Sequence, residues 1–332
     1  MRISHAHVFL LLVTGLSCVA AQTPPRPKKP GVTSPNVRIP IEKLVPDAVF
    51  EIPGNPDWIA IDEDVWVSNA PKDSVARLDT KTNKVAATIA VGKEPGCGLA
   101  AGFGSLWVPN CGDSTLSRID LKSGQVTATF PMTFADSEGG IAVGAGSVWL
   151  TKDARSTLVR IDPANNKVVA EIRIAPGSYA VAFGEKHVFA TSTQESLLTR
   201  VDPATNLVVE TIKVGPAPRF LTVGEGSVWT LNQGDGSISR VDLKTNKVVA
   251  TIEAGIPGGG GEISVGEGSV WATSFGYPIT RIDLTSNQVV QQFFGPGGDA
   301  IRAGQGSVWL SNLRAGNLWR LDPRRIEATR AD

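Results

Sequence analysis

The chain has 332 residues, with 32 basic side chains set against 32 acidic ones and no basic run beyond Arg26 to Lys29. It therefore lacks the electrostatic footprint that a phosphate backbone or an anionic membrane surface demands, which excludes nucleic acid as a natural partner. The length suffices to bury a substantial core.

Arg2, an apolar stretch from Val8 to Val13 and small residues ending in Val19-Ala20-Ala21 have the layout of a secretory signal peptide. Cleavage is expected after Ala21, so residues 1–21 are a leader and the mature product is periplasmic or secreted. The apolar core is too short for a permanent membrane helix, and no later run of about 20 apolar residues exists. Leu16-Ser17-Cys18 partly matches a lipobox, with Gly15 where an aliphatic residue is usual. A lipid anchor at Cys18 is the minor alternative. Residues 22–46 carry Pro24, Pro25, Pro27, Pro30, Pro35 and Pro40 and read as an extended linker.

From Pro56 onward the sequence copies itself about every 40 residues, the length of one four-stranded propeller blade. An aromatic recurs in a Gly-x-Gly-Ser-Val-Trp frame, as Trp66, Trp107, Trp149, Phe189, Trp229, Trp271 and Trp309. An Arg-(Ile/Val/Leu)-Asp triplet recurs with it, beginning at Arg77, Arg118, Arg160, Arg200, Arg240, Arg281 and Arg320. Within Arg219 to Gly255, strand a is Phe220 to Val223, strand b is Ser227 to Leu231, strand c is Ser237 to Val241 and strand d is Val248 to Ile252. Gly224-Glu225-Gly226 supplies a tight a–b hairpin, and Asp242 to Asn246 the c–d turn.

The seventh unit stops at Asp322 without a strand d, whereas Ala48 to Ile52 matches such a strand ahead of the first blade. Pairing of that segment with strand c of the last blade closes the ring and removes an exposed edge. The expectation is an all-β fold: one seven-bladed β-propeller of four-stranded antiparallel blades over residues 47–322, closed by an N-terminal strand and followed by a tail, 323–332. Residues present in every blade are read as blade-to-blade scaffolding, so function is sought where blades differ.

The frame Val-Gly-Glu-Gly-Ser-Val-Trp, followed by Arg-Val-Asp-Leu-Lys-Thr-Asn-Lys-Val-Val-Ala-Thr-Ile, resembles the YVTN-type repeats of bacterial exported propellers. It is also similar to the virginiamycin B (streptogramin) lyase family. That resemblance implies the propeller fold over residues 47–322. In that family a histidine base and glutamate ligands to Mg²⁺ come from Pro-His-Gly starts of strand a and Trp-Phe-Thr-Glu ends of strand b. No strand a start here carries a histidine, and the positions three after each aromatic are Asn69, Asn110, Lys152, Ser192, Asn232, Ser274 and Asn312. The lyase chemistry does not carry over residue by residue.

Because successive strands are antiparallel, strand a starts, strand b ends and b–c loops share one mouth of the central channel, a default ligand site for a ring-shaped fold. Its non-repeating residues are Asp57, Glu138, Tyr179, Arg219, Glu262 and Asp299, with Asn69, Asn110, Asn232 and Asn312 behind them. Carboxylate and amide oxygens are the ligands a hard cation such as Ca²⁺ or Mg²⁺ takes, with Glu262 and Asp299 as the first candidates. Arg219 paired with Glu262 or Asp299 is either a structural ion pair or a clamp for a carboxylate ligand. The glycine runs Gly258 to Gly261 and Gly297-Gly298 suggest either slack loops or a notch admitting a ligand close to backbone, flanked by Glu262 and Asp299.

His187, the only histidine of the mature chain, lies at the other mouth and reads as a surface residue. Cys97 and Cys111 are the only cysteines after the leader. A three-residue a–b loop at Phe103-Gly104-Ser105 places them opposite one another, and a structural disulfide is expected. The leading functional expectation is a non-catalytic propeller that binds a small ligand or a protein partner at the channel mouth. The alternative is a divalent-metal-dependent lyase or hydrolase, and a purely structural role is the third reading.

Overall fold

The computed structural model describes residues 30–331 apart from Pro35, Asp136, Ser137, Gly139 and Ala154. The leader, Cys18 and the first proline-rich residues of the linker lie outside the described residues. The β-branched runs form strands that assemble into seven sheets, one per repeat. In blade 5, Pro218–Gly224, Ser227–Asn232, Ser237–Asp242 and Lys247–Glu253 pair antiparallel in order from the axis to the rim. Innermost strands neighbour one another round the axis, and blade 7 returns to blade 1. The ring closes as the repeat requires: Ala48–Glu51 pairs antiparallel with Asn317–Leu321, Phe50 opposite Leu318.

The segment just before this closing strand is not a free spacer. Arg38–Pro40 adds to blade 6 as a fifth strand, parallel to Val289–Phe294, with Ile39 opposite Phe293. The reason is local. Strand d of blade 6 reads VVQQFF and buries Gln291, Gln292 and Phe293, where other outer strands keep most positions wet. Gln292 accepts from Val32 N–H at 2.8 Å and donates to Ala254 O at 2.8 Å, so the strap satisfies a buried amide that no neighbouring blade reaches alone. Ile41 and Leu44 then pack with Ile326 of a short C-terminal helix, Pro323–Ala328. Among the described residues no helix is long and apolar enough to cross a membrane.

The repeated arginine ties most blades to the next. Arg160 lies over Trp149 of its own blade, 5.1 Å from the ring centre, and donates from Nε to Ser147 Oγ at 2.7 Å. Its Nη1 then crosses to the c–d turn of blade 4, at 2.7 Å from Pro203 O and 3.0 Å from Asn206 Oδ1. Arg118, Arg200 and Arg240 repeat the crossing to Asn166, Asn246 and Asn287, and Arg320 closes the ring onto Asn83 of blade 1. The motif aspartate braces the same turn from within: Asp242 accepts from Thr245 N–H and Oγ1, which holds its carboxyl below the usual range.

Two departures explain themselves in this frame. Blade 7 has no c–d hairpin, because its strand d comes from the N-terminus, so Arg281 turns instead to Gln291 and to Glu327 of the C-terminal helix. His187 takes the serine position of blade 4, where its ring meets Arg200 Nη2 at 3.1 Å and Arg200 Nε is left buried without a partner. It is part of the scaffold at the far mouth.

Arg160→Ala should lower the unfolding free energy by about 2–3 kcal/mol, because charge-assisted bonds to serine, carbonyl and amide are lost together. Arg160→Lys should recover little of it, since an ammonium cannot fork between two blades. Urea denaturation reads both; a wild-type midpoint for either variant would refute the latch.

Candidate functional site

The ladders fix which inner-strand residues are equivalent. Ala60, Thr222 and Ser264 each lie opposite the repeated tryptophan, as do Ala100, Ala142 and Arg302, while Ala182 faces Phe189. Two residues nearer the mouth, and on the same face, stand Trp58, Gly98, Gly140, Ala180, Phe220, Glu262 and Ala300. Aligning Gly261-Glu262 with Pro56-Asp57, as the strand starts suggest, is thus one residue out. Asp57, Tyr179, Arg219 and Asp299 share the rim, whereas Glu262 sits one step down the channel, level with Trp58.

That inner level closes the channel. Trp58 of blade 1 reaches across to Phe220 of blade 5, ring centres 6.0 Å apart and edge to face, and its Nε1 donates to Gly96 O of blade 2 at 2.8 Å. Both aromatics are buried. The level has room for them because it is otherwise small: a Cβ on Gly98 would come within 2.9 Å of Gly140 Cα, and one on Gly140 would meet the Trp58 ring at 3.7 Å. Close packing near the axis leaves space for two large rings only if neighbours give up volume.

Above this plug the carboxyl groups gather. Asp57 is pushed well above the usual carboxylate range, first by burial, then by the charge of Asp299 and Glu138, and it holds its proton in a hydrogen bond to Asp299. Asp299 is also raised by burial, against the pull of Gly261 N–H, Asp57 and the Arg314 charge. Glu262 is 4% exposed and burial lifts it to about 7, although the ion pair with Arg302 and a 3.1 Å bond from Ile301 N–H both pull it down. Two carboxyls this close favour sharing a proton, and an ionised member can receive a cation.

A cavity of about 330 Å³ opens beside this pair, lined by Asp57, Glu94, Glu138, Ala70, Pro71 and the Cys97–Cys111 bridge. The disulfide has a Cα separation of 6.1 Å, although the hairpin carrying it has a two-residue turn, with Gly102 opposite Ser105, rather than three. Tyr179 and Arg219 are on the same rim, with the guanidinium 5.0 Å above the phenol ring. Glu94 and Trp58 escaped sequence reasoning. Glu94 precedes strand a in a connection without a repeat signal, and Trp58 stands at a position whose other members are mostly small.

Other expected contributors are used internally. Asn110 and Asn232 donate to hydroxyls of their own strand c, Asn69 bridges Asn55 N–H and Pro53 O, and Asn312 accepts from Gly298 N–H and donates to Asn317. They clamp loops behind the rim. The glycine runs form no notch: Cβ atoms on Gly260 and Gly261 would strike Phe275 and Thr273 O, and those on Gly297 and Gly298 would strike Asn312 and Thr273. The protein fills that space itself. Among the described residues no three acidic, histidine or cysteine side chains gather closely enough to hold an ion. Glu262 already serves Arg302 and Ile301, so the donor set does not fit the Mg²⁺ site of the lyase pattern.

The raised carboxyls set a sign for pH dependence. Folding takes up protons at Glu262 and Asp57, so the stability they carry is complete below the unfolded value of 4.5 for Glu262 and is lost as pH rises through its folded value of about 7. For Glu262 that amounts to about 3 kcal/mol. The melting temperature should fall between about pH 5 and pH 8, and Asp57→Asn should flatten that decline and raise stability at the alkaline end. An unchanged pH slope in the variant would show that the pair does not titrate as described.

No protein-family model matches the chain, and no curated protein matches it. Solved structures match its fold. A streptogramin B lyase structure superposes with TM-score 0.69 at 19% identity, covering 82% of this chain and 95% of that one. Virginiamycin B lyase from Staphylococcus aureus gives TM-score 0.67 at 15% identity over 82% and 97% of the two chains. The Cps50 β-propeller domain from Myceliophteria thermophila gives 0.68 at 12% identity, over 81% and 97%. The repeats' resemblance to the lyases is therefore matched at the level of fold: the chain is a seven-bladed propeller of the architecture those enzymes share with unrelated propellers.

Proposed function

We propose that this is an exported binding propeller whose ligand carries an amine or similar cationic group and seats at the carboxyl-rich mouth, over the Trp58 plug. The observation that carries the reading is that Asp57, Glu94 and Glu138 line one cavity walled by Ala70, Pro71 and a disulfide, with Asp299 hydrogen-bonded to Asp57 beside it. Carboxyl groups held close together repel as anions, and a ligand cation relieves that repulsion where an internal proton now does. The apolar walls suit a short alkyl or aryl body. Export is supported by the leader-like N-terminus and by the disulfide, which persists in oxidising compartments. The plug makes the site a cup rather than a pore. The alternative, a divalent-metal-dependent lyase or hydrolase at the same rim, finds less support, because Glu262 is engaged by Arg302 and Ile301.

A short aliphatic diamine titrated into the protein by calorimetry should bind more tightly as pH rises, since the cation displaces the shared proton. Asp57→Asn or Asp299→Asn should each cost about 1.5–3 kcal/mol, roughly tenfold to a hundredfold in Kd. Equal affinity for a neutral alcohol of the same length, or no effect of either substitution, would remove the reading. Tight stoichiometric Mg²⁺ or Ca²⁺ binding abolished by Asp299→Asn would favour the metal enzyme.

A further inference from the structure

The other half of the channel, below the plug, is a separate space. It is about 310 Å³ and opens toward the a–b turns. Its wall is the inner-strand level that faces the repeated aromatic: Ala60, Ala100, Ala142, Ala182, Thr222 and Ser264. These six are small for a packing reason. Thr222 accepts from Val265 N–H of blade 6, and Ser264 from Ala303 N–H of blade 7, so side chains at this level lie against the next inner strand. The seventh member of the level is Arg302, an arginine where every other blade has a small residue. The repeated latch to the next blade is made by Arg320, and Arg302 instead pairs back to Glu262 of blade 6.

Arg302 is held from above. Its Nη2 pairs with Glu262 and its Nη1 donates to Ile301 O at 3.3 Å, which leaves other donors of the guanidinium fork directed to the cavity, where the side chain is 27% exposed. No other charged side chain lines the space. Besides Arg302, the wall carries the hydroxyls of Thr222 and Ser264, and Ile61, Val143, Phe183 and Val223 surround the opening. A fixed, charged fork among small side chains, with apolar residues at the opening, is an arrangement that recognises a carboxylate with a hydrocarbon body.

We propose that the lower channel is a second binding site, for a small apolar monocarboxylate that seats its carboxylate on Arg302 and its hydrocarbon part against the alanine-lined wall. The site is independent of the amine cup above it, and the Glu262–Arg302 pair stands between the two. Glu262 governs its strength. Arg302 faces it from blade 7, Asp299 from the connection before that strand and Asp57 from blade 1 across the rim. As pH falls through about 7 Glu262 takes up a proton and stops neutralising Arg302, so the anion binds more tightly in acid. This is opposite in sign to the amine cup.

The test uses the full mature chain with benzoate, benzamide and inorganic phosphate as probes, followed by calorimetry or ligand-observed NMR at about pH 6 and about pH 8. Benzoate should bind several-fold more tightly at the lower pH, and benzamide, which has the same shape without the charge, at least tenfold more weakly. Arg302→Gln should weaken benzoate at least tenfold. Because that variant strips Glu262 of its partner and risks misfolding, Ala182→Leu is the second variant: Ala182 is only partly buried, so a leucine there fills the cavity from blade 4 and leaves the ion pair intact, and it should abolish benzoate binding. The proposal is overturned if benzoate does not bind at concentrations of about 1 mM, if benzamide binds equally well, or if Ala182→Leu leaves affinity unchanged. Phosphate binding as tightly as benzoate would overturn the apolar-body specificity.

Discussion

The structure depends on the arginine that leaves one blade and docks in the turn of the next. A four-stranded sheet buries its faces only against neighbours, and hydrophobic contact between sheets does not by itself fix their angle or height. The guanidinium does so, because it is planar, stacks on the tryptophan of its own blade and places Nη1 on a carbonyl and an asparagine oxygen of the next. Repeated round the ring, and closed by Arg320 onto blade 1, it sets the pitch that brings seven inner strands to one axis. The aspartate and asparagine of the c–d turns matter through it, as they hold the receiving turn in shape.

Once pitch is fixed, the axis has little room and volume there is shared among blades. Trp58 and Phe220 close the channel because Gly98, Gly140 and Ala180 surrender space at the same level. One level further, six small residues leave a hollow into which Arg302 projects. The molecule thus has two shallow cups back to back, one acidic and one with a lone cation, joined through the buried Glu262–Arg302 pair. Crowding carboxyls above the plug costs stability that the scaffold supplies elsewhere.

The two chain ends meet at blades 6 and 7 for one reason. Closing the ring with an N-terminal strand removes the c–d hairpin from blade 7, and with it the turn that Arg281 would have used. The C-terminal helix fills that gap, and the strap before Ala48 covers the apolar outer strand of blade 6.

The fold was legible because its signals are local and repeated: turn residues, alternating β-branched runs, seven copies of two motifs, and one orphan strand at Ala48 whose only use is to close the ring. That Asp57, Glu138, Tyr179, Arg219 and Asp299 lie at one mouth was also legible, since strand polarity alone decides that. Several features could not be read: the one-residue offset of Glu262, the ring of Trp58 reaching the opposite blade, the filling of the glycine loops by Phe275 and Thr273, and the strap on blade 6. Each depends on residues far apart in the chain meeting near the axis or the rim, where a one-residue slip or a single large side chain decides who touches whom. Sequence by itself determined the architecture and its closure, because those follow from periodic local preferences. Only the tertiary structure decided which side chains face one another across the channel, because that is a matter of shared volume and burial, which no periodicity encodes.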